Sequence, residues 1–132
     1  MTFYVYILGS KKRRRKKTYV GWTNNLIKMT EFYTNILDIQ PNNILDNHVS
    51  FHFGKLKFII GTHEKINGKS KDKYRMMINF EVDNIYKSYN RLKSFGVKII
   101  REPYKEHWGG FICTFQDYDD NIVQFIQQSS ND

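Results

Sequence analysis

Residues Gly110 to Gln127 read GFICTFQDYDDNIVQFIQ, two apolar runs, Phe111–Phe115 and Ile122–Ile126, around the polar stretch 117–121. Strand-forming residues on both sides of an Asp/Asn turn specify an antiparallel hairpin. Read backwards from that hairpin, the chain gives a strand over Met76–Val82, a helix over Asn84–Phe95 and a strand over Val97–Arg101. In the first strand Ile78, Phe80 and Val82 fall on one face and Met77, Asn79 and Glu81 on the other, because side chains alternate along a strand. Asp83 or Asn84 is placed to cap the helix. Its apolar stripe is Ile85, Tyr89, Leu92 and Phe95, and Gly96 follows as a terminating glycine. Pro103 breaks the next run, and Trp108-Gly109-Gly110 lead into the hairpin. The order is βαβββ.

The first half can be tested for a second copy. Phe3–Leu8 and Thr18–Thr23 read as strands from their aromatic and β-branched content, with the run Lys11–Lys17 between them. Asn24 or Asn25 caps a helix over Leu26–Leu37. Its stripe Leu26, Met29, Phe32, Tyr33, Ile36 and Leu37 has the three-four spacing of a core-facing side. Pro41 and Asn42-Asn43 mark a break, and His48–Phe53 and Leu56–Ile60 form a hairpin around Gly54-Lys55. The polar segment Lys65–Lys73 reads as a linker. Two halves of about fifty residues in the same element order suggest an internal pseudo-repeat.

A chain of 132 residues with 40% hydrophobic and 16% aromatic content is a folded domain rather than a disordered one. The formal net charge is +8, but Lys11–Lys17 alone supplies seven positive charges, so 8 − 7 leaves +1 for all the rest. A polyanion footprint is therefore expected only in that loop. The single cysteine, Cys113, excludes an internal disulfide and a paired-thiolate metal site. Its place between Ile112 and Thr114 suits a buried small hydrophobe better than a nucleophile. With no long apolar run and no signal-like start, a cytoplasmic location without a membrane span is expected.

The second half resembles the vicinal oxygen chelate superfamily, which includes glyoxalase I, extradiol dioxygenases and bleomycin-binding proteins. The resemblance is carried by residues 78–85 (INFEVDNI), 92–97 (LKSFGV) and 115–124 (FQDYDDNIVQ), with 25–26 and 32–37 matching the family's first helix. Tyr118 and Asp120 stand where the family's turn carries Pro and Gly. The resemblance spans roughly 18–128 and implies an α+β fold: two βαβββ modules, about 18–64 and 76–128, forming a curved mixed-sheet cleft. Residues 1–17 would be an added N-terminal strand and basic loop. A second resemblance, in Val5-Tyr6-Ile7, Tyr19-Val20-Gly21 and Thr23–Leu26, is to the opening hairpin of a GIY-YIG nuclease. That family's catalytic Arg falls on Met29, so its chemistry should be absent.

Metal-dependent chelate-family members use a His or Gln in the first strand, a His in the strand opening the second half and a Glu in the last strand. Those places fall on Thr18, Met77 and Gln124. A hydroxyl, a thioether and a neutral amide do not make a site for Mg²⁺, Mn²⁺, Ni²⁺ or Zn²⁺, so no metal or other cofactor is expected. His48 and His52 are about 13 Å apart on an extended strand, too far to share an ion. His63 with Glu64, and His107, read as surface groups. The resemblance then implies a small-molecule cleft, with Trp22, Met77, Asn79, Thr114 and Gln124 as ligand-contacting candidates on a face that also carries Val20 and Glu81. Trp108 is expected as an aromatic flap over it, and a homodimer is implied by resemblance alone. Two other readings stay open: a metal-dependent lyase or transferase, and a nuclease remnant touching nucleic acid.

Overall fold

The computed structural model describes residues 17–130. The expected strand Phe3–Leu8 and most of the basic run lie outside the described residues. The chain divides into two compact units that part between Lys69 and Ser70.

In the N-terminal unit, β1 (Lys17–Thr23) leads into α1 (Leu26–Leu37), followed by β2 (Asn43–Ile44), β3 (His48–Phe53) and β4 (Leu56–Thr62). Asn25 caps α1 by accepting from the Lys28 amide at 3.3 Å. At the other end Asp38 turns left-handed, and the Asp38 and Ile39 amides both return to the Thr34 carbonyl. Met29, Phe32, Tyr33, Ile36 and Leu37 are all buried, as the stripe requires. Tyr33 sets its ring edge-on to Phe58 of β4, with 5.2 Å between centroids. The sheet order is β1-β4-β3-β2, with β1 parallel to β4 and the other pairs antiparallel. Strand β2 falls where the sequence suggests only a break; its two residues pair with Val49 and Ser50.

The C-terminal unit repeats the plan with β5 (Ile78–Glu81), α2 (Ile85–Ser94), β6 (Ile99–Lys105), β7 (Phe111–Gln116) and β8 (Ile122–Gln127). Its order, β5-β8-β7-β6, again sets the first strand parallel to the last. Phe80, Phe115 and Phe125 lie fully buried beneath α2 with Ile85, Leu92 and Cys113. Asn84 caps α2 through the Lys87 amide at 3.1 Å. The Ile85 amide, otherwise an orphan of the first turn, donates to Gln127 Oε1 at 2.8 Å. Past the helix, Gly96 (φ 68) donates to Lys93 O and Val97 to Leu92 O, a Schellman ending.

Three differences from the sequence reading have a clear physical cause. Strand β5 starts at Ile78, because a turn closed by the Arg75 amide on Asp72 O leaves Met76 and Met77 outside it. Strand β6 runs through Pro103: it is the sheet edge, and its register shifts between Arg101 and Tyr104, so the missing N–H breaks no ladder there. Phe95 is exposed at the helix end, and Ser88 takes the buried place on α2 beside Ile85 and Leu92.

Candidate functional site

Because Phe80, Cys113, Phe115, Val123 and Phe125 face the core, the alternate residues of the same strands share the opposite face of the C-terminal sheet. Register places Asn79 opposite Gln124, Gln124 opposite Thr114, and Thr114 opposite Arg101. A polar row therefore crosses all four strands, and three of the expected ligand-contacting residues, Asn79, Thr114 and Gln124, are consecutive in it. Gln124 Nε2 donates to Thr114 Oγ1 at 3.0 Å. Farther along β5, Glu81 Oε2 accepts from Gln128 Nε2 at 3.3 Å. At the β6 end Arg101 is ion-paired with Glu106 at 2.7 Å and has its guanidinium 4.8 Å from the Tyr104 ring centre. Gln116, two residues past Thr114 on the same face, is 3% exposed. Its alternation with Thr114 is the signal that would have placed it there.

The hairpin that holds Thr114 against Gln124 is set by Asp117. Its Oδ1 accepts from the Asp119 and Asn121 amides, each at 2.9 Å, and its Oδ2 accepts from Asn121 Nδ2 at 2.9 Å. Asp120 adopts φ 62, doing the work of the glycine that the family's turn carries there.

The remaining expected residues are placed differently. Met77 precedes β5 and is 43% exposed. Trp108 lies in the β6–β7 loop, 38% exposed, with its ring so close over Gly110 that a Cβ there would overlap it. Trp22 belongs to the N-terminal unit, where it is 50% exposed on β1 beside Thr18 and Val20. Its ring covers Gly61 and meets His63 edge-on at 5.4 Å.

The family's three metal positions do not fit a cation. Thr18 offers a neutral hydroxyl, Met77 a soft sulfur outside its strand, and Gln124 an amide whose nitrogen is engaged with Thr114. No group of three or more His, Cys, Asp or Glu side chains comes together among the described residues. Two of the four histidines are held locally: His48 Nδ1 is 2.9 Å from Asn47 Oδ1, and His63 Nδ1 accepts from the Lys65 amide. Burial pushes the Cys113 thiol from its ordinary 9.0 up to about 12, and the Glu102 charge adds to the effect. A thiol so protonated is no nucleophile near neutral pH.

Two βαβββ units, each with its first strand parallel to its last, define the class of protein. The chain belongs to the Glyoxalase/Bleomycin resistance protein/Dioxygenase superfamily, whose profile matches residues 17–125. It is 27% identical over 119 residues to the uncharacterized protein YraH of Bacillus subtilis (strain 168), across 79% of this chain and 91% of that one. A glyoxalase/bleomycin resistance protein/dioxygenase family enzyme from Burkholderia phytofirmans PsJN superposes with a TM-score of 0.70 at 16% identity, over 86% of this chain and 98% of its own. Lactoylglutathione lyase from Agrobacterium tumefaciens gives 0.67 at 12% identity, over 84% and 91%. At such identities the likeness is one of fold. The comparisons lend no support to a GIY-YIG hairpin; residues 19–26 of that resemblance form β1 and the start of α1. No helix among the described residues is long and apolar enough to cross a membrane.

Proposed function

We propose that this chain is a small-molecule-binding member of its superfamily that works without the usual metal, taking its ligand on the polar row Asn79, Gln124 and Thr114. One observation carries the reading. The last-strand position at which metal-dependent relatives hold a carboxylate is Gln124, whose amide is turned onto Thr114 instead. A neutral hydrogen-bonding group at that place suits recognition of a ligand and gives a divalent cation no charge to hold it. In this reading Met77 and Trp108 border the row. The protein acts as a homodimer.

Elemental analysis of protein purified without chelators tests the metal half. Less than a tenth of an equivalent of any transition metal is expected, and a stoichiometric one would favour a metal-dependent lyase or transferase. A thermal-shift screen over antibiotics, glutathione with aldehydes, and divalent metals tests the other half. An organic ligand should raise the melting temperature, and stabilisation by metals alone would sink the reading. Light scattering should give twice the 15.9 kDa chain mass.

A further inference from the structure

Among the described residues, the buried side-chain oxygens without a hydrogen-bond partner are Thr30 Oγ1, Asn79 Oδ1, Glu106 Oε1 and Gln116 Oε1. Glu106 Oε1 is compensated by the Arg101 guanidinium 2.7 Å away. Thr30 lies on α1 of the other unit. The two that remain are both carboxamide oxygens, and alternation puts both on the same face of the C-terminal sheet. Asn79 is at the β5 end of the polar row, and Gln116 is on β7, two residues beyond Thr114. Two strand spacings across and two residues along separate them by roughly 12 Å. Ile122, in register with Gln116, supplies an apolar position next to the row. Glu81 adds a carboxylate on β5, two residues from Asn79.

A buried carbonyl oxygen without a donor is costly, and the cost disappears when a ligand brings one. Both orphan atoms are acceptors, the neighbouring charge on β5 is negative, and the row's one cation, Arg101, is held by Glu106. We infer that this face selects a non-anionic ligand presenting N–H donors, of the amide or amidine class, with Asn79 Oδ1 and Gln116 Oε1 as its acceptors. The inference rests on the proposed sheet-face site and adds its polarity. An anion of the same shape would meet two carbonyl oxygens and a carboxylate, and is rejected.

The test uses the full-length ¹⁵N-labelled protein and three probes with one aromatic body: benzamidine, benzamide and benzoate. Side-chain amide signals of Asn79, Gln116 and Gln124 are followed during each titration. Benzamidine and benzamide should shift the Asn79 and Gln116 signals, with benzoate at least tenfold weaker. Asn79→Leu and Gln116→Leu should each weaken benzamidine binding about tenfold. Neither should lower the melting temperature, since each removes an unsatisfied acceptor. A dispersed amide spectrum of each variant separates lost binding from lost folding. Benzoate binding at these amides as tightly as benzamidine overturns the polarity while leaving a sheet-face site. No shift on this face with any of the three overturns the inference, and a stoichiometric metal in the purified protein overturns the underlying site reading.

Discussion

Gln124 Nε2 donates to Thr114 Oγ1 at 3.0 Å across directly opposed positions of β8 and β7. The bond joins the two residues on which the candidate site is centred, and Thr114 is buried. Replacing Thr114 by Val strands the amide donor and should cost about 1–3 kcal/mol. Thr114→Val combined with Gln124→Leu should cost less than the two single changes together, by about 0.5–1.5 kcal/mol. Urea unfolding of the four proteins gives the cycle, and strict additivity would refute the coupling.

Asp117 supports the hairpin with three accepted hydrogen bonds. Asp117→Ala should cost about 2–4 kcal/mol, since two backbone amides and one side-chain amide lose a charged acceptor. Asp117→Asn can keep the Oδ1 bonds but points an NH₂ at Asn121 Nδ2, so a loss of about 1–2 kcal/mol is expected. Equal denaturation midpoints for the wild type and the Ala variant would contradict this account.

Two glycines should respond to alanine for different reasons. At Gly96 (φ 68) an added Cβ meets nothing within 4 Å, so Gly96→Ala costs only the backbone strain, about 1 kcal/mol. At Gly110 the Cβ overlaps the Trp108 ring. Gly110→Ala should therefore expel the indole and change Trp fluorescence, whereas Gly96→Ala should leave the emission as it was.

Cys113 gives a pH signature. Its thiol titrates near 12 when folded, because of burial first and Glu102 second, and at 9.0 ordinarily. The folded state thus holds its proton more tightly. The stabilisation is complete below pH 9 and is lost progressively as pH rises toward 12. In a comparison of wild type with Cys113→Ala, the wild type should lose more unfolding free energy between pH 9 and 11. Native protein should resist alkylation at pH 8, and urea-unfolded protein should react promptly.

The run Lys11–Lys17 holds seven of the 21 cationic side chains. Its replacement by serine should abolish most salt-sensitive retention on heparin. Unchanged elution would remove the polyanion proposal.

Much of this was local and so readable from the chain. Asn25 and Asn84 cap their helices because a short side chain reaches an amide three residues on, which needs nothing distant. Gly96 ends α2 for a similarly local reason. Thr114 and Gln124 were legible as partners once the hairpin around 117–121 was recognised, because a turn of fixed length sets the register of its arms. Asn79 beside Gln124 was not, since a parallel pairing across more than forty residues leaves no trace in the spacing. Pro103 inside β6, Gln127 on the first turn of α2 and the Trp108 ring on Gly110 depend likewise on which segments become neighbours. The sequence alone determined the order of elements apart from β2, and most of the faces they bury, through alternation, helical spacing and caps that act within a few residues. Only the tertiary structure decided which polar side chains stand in one row and which of their atoms lack partners, because both follow from strand pairing over long separations.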